Sequence, residues 1–386
     1  MIKDKIIIIP FHLPWNWTAD FERQTALTLS QNNFVVAVDT HTPLTLKKIL
    51  KIKKYHFIEK KQKNLYFVKP LCLLPFSKFK FIFKMNLSLF FLFLNLFLIF
   101  RRNQGKILWL FYPRLIFLKY LFPNYLSVYD CVDFFTSEDK QEFQKIKDDE
   151  KKTVKTVDFV FANSKVLQKD KKKYRQNINL VPQGFSLDVF KSTQKLPKNS
   201  SIFKLKKPII GYIGGINHRL DYPLLIKLAR KNPKLTFLLV GPLQKDHLIG
   251  FKKQLKELKR IKNISFLENQ PRELLTQIIN SFDICLIPYD IKQDFNKFCH
   301  PMKIFEYFYL KKPVVSTPIE ELKRFQPYVK IADNADKFSK EIKKILKDGW
   351  SKEYAQKQRE LAIDNSWENK IKEISLVLEE KTKKNV

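Results

Sequence analysis

The sequence predicts an α/β protein built from two successive Rossmann-like lobes that face each other across a cleft. Short runs rich in Ile, Val and Phe alternate with longer helical stretches, and this alternation stops at 191–206 and then begins again. Runs without polar alternation are typical of parallel strands covered on both faces. The length of 386 residues also suits two domains better than one ordinary core. We therefore expect lobes at 1–190 and 207–360, a linker at 191–206, and a C-terminal helix at 361–386 that packs back toward the first lobe.

The individual elements follow from the apolar runs and the segments between them. Strands of the first lobe are predicted at 5–10, 34–39, 65–70, 106–113, 125–130, 157–163 and 178–184, and its helices at 20–31, 138–156 and 165–174. Strands of the second lobe are predicted at 207–214, 235–241, 264–267, 282–288 and 313–317. Its helices are predicted at 222–231, 246–260, 272–281, 302–310 and 334–347, followed by terminal helices at 352–361 and 367–380. The stretch KSTQKLPKNSSIFKLK between the lobes is polar and carries Pro, Ser and Asn, which is typical of a linker.

The charge balance favours polyanionic partners. Lys and Arg number 72 against 38 Asp and Glu, a formal net charge of +34. Such an excess attracts nucleic acid, an anionic lipid surface or nucleotide phosphates, although an AT-rich coding bias toward Lys, Ile, Asn and Phe explains it as well. The 4 cysteines lie far apart without a CxxC pair, which argues against a disulfide framework or a metal site and fits a reducing cytoplasm. The N-terminus MIKDKIIIIP predicts a strand and lacks the core of a signal peptide.

A Phe- and Leu-rich run at 87–100 has two interpretations that stay open. It is shorter than the about 20 apolar residues that a spanning helix needs. Lys80 and Lys84 precede it, and Arg101 and Arg102 follow it. A basic-flanked apolar helix suits a membrane interface, whereas the same run also suits a helix packed on a sheet. The two interpretations are compatible, with one face on the core and the other in lipid.

The first strand of the second lobe ends in a candidate phosphate site. Gly214 and Gly215 follow the strand directly, and glycines let the backbone approach a ligand closely. His218 and Arg219 add donors, and arginine can bind two phosphate oxygens at once. The alternative is a tight turn with a solvated arginine. Asp221 is interpreted as the N-cap of the helix that follows.

Two later strand ends add further candidates. Pro288 and Tyr289 end the strand at 282–288, where they could flank a nucleotide base or simply end the strand. Lys303 and Glu306 lie one turn apart in a helix that precedes a buried strand. An exposed salt bridge is the alternative, but the apolar neighbours of the pair favour a lysine on a diphosphate. A glutamate one turn later suits ribose hydroxyls, as acidic residues do in dinucleotide folds.

The motif P-x-K-x-x-E-Y followed by K-K-P-V-V-S-T resembles the donor-nucleotide motif of bacterial glycosyltransferases with the GT-B fold. It is similar to family 4 and related enzymes that build cell-surface polysaccharides. Further stretches resemble the same group in the same order: IIPFHLPWNWTADFERQTALTLSQNNFVVAVD, VYDCVDFFTSE, VDFVFANSKVLQKD, INLVPQGFSLDVF, GYIGGINHRLDY and FDICLIPY. In the last of the first-lobe segments, Gln183-Gly184 replaces the usual Asn-Gly.

The resemblance implies roles for individual residues of the second lobe. Lys303 would bind the diphosphate, Glu306 the ribose, and Arg219 with the backbone at Gly214 and Gly215 the phosphates. The family 4 pattern has an earlier Glu eight residues before the second one, whereas this chain has Phe298 there. Retaining stereochemistry is therefore not implied. No DxD stretch indicates a metal site, so we expect no metal and no cofactor beyond a UDP- or GDP-linked sugar as co-substrate.

The first lobe is expected to bind the acceptor and to supply any catalytic base. Asp130 and Asp133 follow a predicted strand, where a carboxylate could deprotonate the acceptor hydroxyl. Both could instead cap a helix or structure a turn. His12 follows the first strand and is a third candidate, although a lone histidine is often structural.

The resemblance implies a hexosyltransferase that moves a sugar to a lipid-linked or cell-envelope glycan. We expect it in the cytoplasm, at the inner face of the membrane, without a specific nucleic-acid partner. The alternatives are an inactive transferase-like module that binds a membrane or a partner, a nucleotide-sugar epimerase, and a nucleic-acid-binding protein. Aromatic residues here cluster with Leu and Ile and are not interleaved with basic residues in an RNA-binding motif, which argues against the last.

Overall fold

The computed structural model describes residues 1–17, 20–41, 44–45, 56–76, 79–98, 104–137, 139–191, 194–244 and 250–384. Two compact units make up the chain. Unit 1 comprises Met1–Gln183 and Trp367–Val386, and unit 2 comprises Gly184–Ser366. Both are α/β units with mainly parallel sheets, as the sequence predicts.

Unit 1 is built on a large twisted sheet. Its strands are β1 (Ile6–Phe11), β2 (Phe34–Asp39), β3 (Leu44–Thr45), β4 (Ile58–Gln62), β5 (Leu65–Val68), β6 (Leu71–Cys72), β7 (Lys106–Leu110), β8 (Leu126–Cys131), β9 (Phe159–Ala162) and β10 (Asn179–Leu180). In the described residues the sheet order is β10-β9-β8-β7-β1-β2-β5-β4, while β3 pairs with β6. Every pairing in the large sheet is parallel except that of β4 with β5. The central strand β1 is buried along its whole length, which explains its unbroken apolar sequence.

Six helices accompany this sheet in the described residues. They are α1 (Phe21–Leu29), α2 (Lys80–Leu98), α3 (Phe117–Leu121), α4 (Lys140–Thr156), α5 (Lys165–Lys172) and the C-terminal α15 (Trp367–Lys384). Side-chain caps fix the starts of two of them: Asp139 accepts the Glu142 amide, and Ser164 accepts the Leu167 amide. Each cap satisfies a backbone donor that the first helical turn leaves without a partner.

Unit 2 has the strand order of a Rossmann fold. Its strands are β11 (Ile209–Ile213), β12 (Thr236–Val240), β13 (Ile264–Leu267), β14 (Ile284–Ile287), β15 (Val314–Ser316) and β16 (Lys330–Ile331). The order β13-β12-β11-β14-β15-β16 is all parallel in the described residues. Its helices are α6 (Leu187–Phe190), α7 (Tyr222–Lys231), α8 (Lys252–Lys259), α9 (Leu275–Asn280), α10 (Asp294–Phe298), α11 (Lys303–Tyr309), α12 (Glu320–Lys323), α13 (Ala335–Asp348) and α14 (Lys352–Asp364). The residues 246–249 of one predicted helix lie outside the described residues, and the helix begins at Lys252.

The boundary between the units differs from the expected linker at 191–206. The division falls between Gln183 and Gly184 because Phe185, Phe190 and Ile202 are buried in the core of unit 2. The polar stretch at 191–206 therefore lies within unit 2, and Ile202 in this stretch is buried in the core of that unit. The chain crosses again at Ser366–Trp367, and α15 packs against α1 within unit 1.

Residues 87–98 of the predicted apolar run belong to the long helix α2, and residues 99–100 lie outside the described residues. Leu87, Phe91 and Leu98 are buried on one of its faces. The opposite face exposes large apolar side chains, among them Phe81 and Phe97. The buried face agrees with a helix packed on the sheet, and the exposed apolar face agrees with a helix that contacts a membrane. The expected flanking residues Arg101 and Arg102 lie outside the described residues.

Candidate functional site

The strand order of unit 2 places a ligand site at the carboxyl ends of β11 and β14. In doubly wound sheets ligands bind where the strand order reverses, beyond the carboxyl ends of the strands. In unit 2 this point lies between β11 and β14, which pair directly. Gly214 follows β11, and Pro288 and Tyr289 follow β14. The sequence candidates of unit 2 therefore converge on one end of one sheet.

Gly214 is required by two features of its position. Its φ of +141° lies in a region that side-chain-bearing residues rarely adopt. A methyl group at Gly214 would lie 2.3 Å from Lys303 Cε and 2.9 Å from Tyr212 Oη. The lysine side chain thus lies directly against the backbone of the turn. Because Gly214 has no side chain, the Lys303 side chain can occupy this space.

The Lys303 ammonium lies in a cage of aromatic hydroxyls and backbone. Its Nζ donates a hydrogen bond of 2.8 Å to Tyr289 Oη and lies 5.5 Å from the ring centroids of both Tyr212 and Tyr289. Among the described residues, no carboxylate forms an ion pair with this ammonium. A half-buried cation that is held by neutral groups attracts an anion to the same place. This arrangement suits a phosphate oxygen.

Tyr212, which lies beside the Lys303 ammonium, stays neutral. Burial raises the pKa of Tyr212 well above its ordinary value, and the neighbouring hydroxyls of Tyr289 and Tyr307 raise this pKa further. The nearby Arg219 charge acts in the opposite direction but does not reverse the shift. Tyr212 Oη donates to the Gly215 carbonyl at 3.1 Å, so it fixes the turn rather than balancing the lysine charge. The local field at the end of β11 is therefore positive.

The loop that carries His218 and Arg219 is tied to the segment after β14. Asn296 Nδ2 donates to the Arg219 carbonyl at 3.0 Å, and Gln293 Nε2 donates to the His218 carbonyl at 2.7 Å. The His218 ring and the Arg219 guanidinium both lie against Phe295, at 4.7 Å and 4.8 Å respectively. The structure thus places both donors on a braced loop next to the Gly214 turn.

Asp221 has the role that the sequence predicts. Its side chain accepts the Leu224 amide at 2.9 Å and caps α7. Its own amide donates to the Pro288 carbonyl at 2.9 Å, which joins the two strand ends. The Pro288 carbonyl therefore links the loop after β14 to the loop after β11.

Two of the remaining candidates differ in their surroundings. Glu306 is half-buried and lies one helical turn after Lys303 on α11. Tyr289 is only 3% exposed, so its ring offers no open face for the stacking of a base. The role suggested by its position is instead to hold the Lys303 ammonium. Phe298, which occupies the place of the earlier family 4 glutamate, is half-buried at the end of α10.

Sequence reasoning missed a polar pair beside the glycine turn. Asn217 Nδ2 donates to Gln244 Oε1 at 2.7 Å, and the Asn217 carboxamide oxygen accepts the Arg219 amide at 2.9 Å. A methyl group at Gly215 would lie 3.1 Å from Asn217 Nδ2 and 3.2 Å from Gln244 Oε1. The two residues lie after different strands and share no local motif, so no sequence signal joins them.

Unit 1 places His12 at the corresponding reversal of its own sheet, between β1 and β7. His12 Nδ1 lies 2.7 Å from Glu22 Oε1. The Glu22 carboxylate also accepts the His12 amide at 3.0 Å and the Leu13 amide at 3.1 Å, and it is only 2% exposed. A carboxylate so fixed accepts the Nδ1 proton, which leaves Nε2 of the neutral ring as a proton acceptor. Glu22 was not singled out from the sequence, because a glutamate in the first turn of an amphipathic helix is common and carries no specific signal.

Aromatic rings fix the plane of the His12 imidazole. Tyr112 follows β7 and stacks on it with centroids 4.8 Å apart, and Phe135 contacts it edge-on at 5.8 Å. The histidine side chain keeps 14% of its surface exposed. The ring is thus held in one orientation and remains accessible.

The two aspartates of unit 1 are not equivalent. Asp130 is fully buried and forms an ion pair of 3.0 Å with Lys370 of α15, whose ammonium also donates to Gln183 at 3.1 Å. The prediction of Asp130 as a base open to an acceptor is wrong, because its charge is committed to this buried pair. Asp133 is half-buried, and its side chain accepts the Phe134 amide at 2.9 Å, which structures the turn after β8. Of the two, Asp133 alone keeps contact with solvent.

Comparisons with known proteins relate the chain to glycosyltransferases. Residues 194–365 match the family described as glycosyl transferases group 1. The chain is 26% identical over 276 residues to a Bacillus subtilis protein named as the teichuronic acid biosynthesis glycosyltransferase TuaH, covering 67% of this chain and 68% of that protein.

Solved structures of glycosyltransferases share the fold at low identity. Sucrose-phosphate synthase from Thermosynechococcus elongatus superposes with a TM-score of 0.72 at 14% identity, over 98% of this chain and 99% of that one. Anabaena HepE in complex with UDP-glucose gives a TM-score of 0.67 at 13% identity, over 97% and 99%. A glycosyltransferase from Rickettsia africae gives 0.68 at 15% identity, over the full length of both chains. Residues 194–365 thus match a group 1 glycosyl transferase domain, and the chain is a glycosyltransferase with the GT-B fold.

Proposed function

We propose that the enzyme transfers a hexose from a UDP- or GDP-linked donor to a lipid-linked or cell-envelope glycan. The observation that carries the proposal is the Lys303 ammonium, which lies against the Gly214 turn and is held there by the Tyr289 hydroxyl. A diphosphate at the end of β11 would supply the negative charge that this cation attracts. Arg219, on the braced neighbouring loop, would bind a further phosphate oxygen.

In this proposal the donor is oriented by α11. Lys303 contacts the diphosphate, and Glu306, one turn further on, accepts hydrogen bonds from the ribose hydroxyls. The backbone amides after Gly214 complete the phosphate contacts. Support for a UDP-linked donor comes from the structural neighbour HepE, whose crystal structure is a complex with UDP-glucose.

Bond breaking in the donor develops negative charge on the departing nucleoside diphosphate. The acceptor hydroxyl forms the new bond to the anomeric carbon as the bond from that carbon to the diphosphate oxygen breaks. Lys303 and Arg219 stabilise the leaving diphosphate, since fixed positive groups act most strongly where charge develops. Because these two cations supply that stabilisation, we propose that the reaction needs no metal ion. Among the described residues no group of three or more His, Cys, Asp or Glu side chains could hold one.

The acceptor proton passes in this proposal to His12 Nε2 of unit 1. Glu22 holds the opposite nitrogen and so keeps Nε2 available as a base. Asp133 is the second candidate for this role. It follows strand β8 of the same sheet and is partly exposed to solvent.

The acceptor class and location are proposed from the relative and from the surface charge. TuaH is named for teichuronic acid biosynthesis, and for this chain we propose a cell-envelope glycan as the acceptor. The net charge of +34 favours an anionic membrane surface, and we place the enzyme at the inner face of the cytoplasmic membrane.

Calorimetric titration of the intact enzyme with UDP-glucose and with a GDP-linked sugar tests the donor site. Charge-assisted hydrogen bonds contribute about 1.5–3 kcal/mol, so Lys303→Ala should weaken binding by about 10- to 150-fold. Glu306→Ala should weaken it in the same direction. Lys343→Ala, on the exposed side of α13, is the matched control and should bind as the parent does. Unchanged affinity in both site variants would refute the assignment, and loss of turnover with a chelator would refute metal independence.

A further inference from the structure

Helix α2 is attached to unit 1 through a buried apolar face and through the side chains of Asn86 and Asn95. Phe91 packs edge-on against Phe122 with centroids 5.9 Å apart. Asn86 exchanges two hydrogen bonds with the Leu74 backbone, at 2.7 Å and 3.1 Å. Near the other end, Tyr125 Oη donates to Asn95 Oδ1 at 3.0 Å. The side chains of Asn86 and Asn95 thus fasten the helix to unit 1, which sets its orientation.

The opposite side of α2 is apolar and open. We call it the apolar strip; it consists of Phe81 (73% exposed), Met85 (39%), Leu92 (43%), Phe93 (60%), Leu96 (59%) and Phe97 (70%). At 3.6 residues per turn these positions share one side of the helix, away from the buried Phe91. The strip runs for most of the helix, whose length is about 28 Å at 1.5 Å per residue. Soluble monomers rarely expose a contiguous apolar surface of this size without a partner.

Further exposed aromatic and aliphatic residues precede the helix in sequence and lie on the helix beside it. Leu73, Phe76 and Phe79 are 50%, 67% and 54% exposed. Tyr120 of α3, which packs beside α2, is 54% exposed. Tyrosine rings favour the boundary between lipid and water.

Lysines border the strip. Lys84 is exposed on α2 itself and lies 4.7 Å from the Phe117 ring. Lys152 of α4 lies 4.8 Å from the Tyr120 ring. Helix α4 is joined to the start of α2 by the Lys80–Glu142 ion pair, and it exposes further lysines: Lys140, Lys145, Lys151 and Lys155. An apolar surface with a cationic border complements acyl chains beneath anionic headgroups.

We propose that the apolar strip of α2 inserts in the plane of an anionic lipid bilayer, with the lysines of α2 and α4 on the headgroups. By length and composition α2 is the one helix among the described residues that could cross a membrane. Crossing would break the Asn86 and Asn95 hydrogen bonds and expose the buried face, so the helix lies along the surface instead. Pairing with a second copy would bring two lysine borders together, which like-charge repulsion opposes.

This inference deepens the proposed function by stating how the enzyme reaches a lipid-linked acceptor. It uses no donor-site residue, so its failure would leave the donor assignment intact.

The test is co-sedimentation of the full chain with vesicles. Vesicles of phosphatidylglycerol and phosphatidylcholine in equal parts should bind the protein, pure phosphatidylcholine should bind it less, and added salt should weaken binding. The triple variant Phe93→Gln, Leu96→Gln, Phe97→Gln removes three exposed side chains and should weaken binding at least about a hundredfold. Phe203→Gln in unit 2, where Phe203 is 64% exposed, is the matched control. All variants should keep the parent's circular dichroism and thermal unfolding, because the replaced side chains are exposed.

Three outcomes would overturn the proposal. One is equal vesicle binding by the triple variant and the parent. Another is retention of the bound protein in alkaline carbonate, which releases a surface helix but not a spanning one. The third is a parent that ignores vesicles and forms a dimer that the triple variant abolishes.

Discussion

Gly214→Ala tests whether the glycine turn lies against Lys303, the lysine that we propose to bind the donor. The new methyl group would lie 2.3 Å from Lys303 Cε and 2.7 Å from Lys303 Nζ, where carbon atoms normally stay about 3.5–4.0 Å apart. The lysine must therefore move by more than an ångström. The backbone at φ +141° adds strain of about 1–3 kcal/mol for a non-glycine residue.

Displacement of the ammonium should remove its contact with the diphosphate. The expected loss is the same about 10- to 150-fold in donor affinity that Lys303→Ala causes. Since both changes act on one contact, the double variant should bind no more weakly than Lys303→Ala alone. Calorimetric titration with UDP-glucose measures all three variants.

Gly250→Ala is the matched control for this prediction. A methyl group at Gly250 meets no atom within 4 Å, and its φ lies outside the left-handed range. Donor affinity and unfolding temperature should both stay unchanged. Parent-like affinity in Gly214→Ala, or fully additive losses in the double variant, would show that Lys303 does not act beside this turn.

The remaining predictions concern unit 1. His12→Ala should lower the rate of nucleotide release by about 100- to 10,000-fold at unchanged donor affinity. Glu22→Gln should lower the rate in the same direction; parent-like rates in both variants would exclude His12 as the base. Asp130→Asn should lower the free energy of unfolding by about 3–5 kcal/mol, because it leaves the buried Lys370 ammonium without its counter-ion. Combining Asp130→Leu with Lys370→Met should recover most of that loss in urea unfolding, and a larger loss in the double variant would contradict the buried-pair explanation.

The central strands of the sheets could be predicted from the sequence because almost all of their residues are buried, which gives a continuous apolar run. The run at 34–39 coincides with β2. The antiparallel strand β4 was missed, since its sequence IEKKQ alternates exposed and half-buried residues and carries no apolar run. Polar residues on an edge strand discourage pairing with other chains, and they also hide the strand from an apolar pattern.

Candidate site residues could be predicted where they directly follow a strand. They could not be predicted where their surroundings depend on residues far away in sequence. Gly214 and Lys303 occupy strand ends and a helix start, so position alone singled them out. The burial of Asp130 depends on Lys370, which lies 240 positions away in sequence. The pairing of His12 with Glu22 likewise depends on how α1 packs on β1. Such contacts follow from tertiary packing, which a local pattern does not contain.

A crystal structure of the enzyme with UDP or a UDP-sugar bound tests the central claim most directly. We expect Lys303 Nζ within hydrogen-bond distance of the diphosphate at the end of β11, and the Glu306 carboxylate at the ribose hydroxyls. A nucleotide bound elsewhere, with Lys303 still donating only to Tyr289, would contradict it.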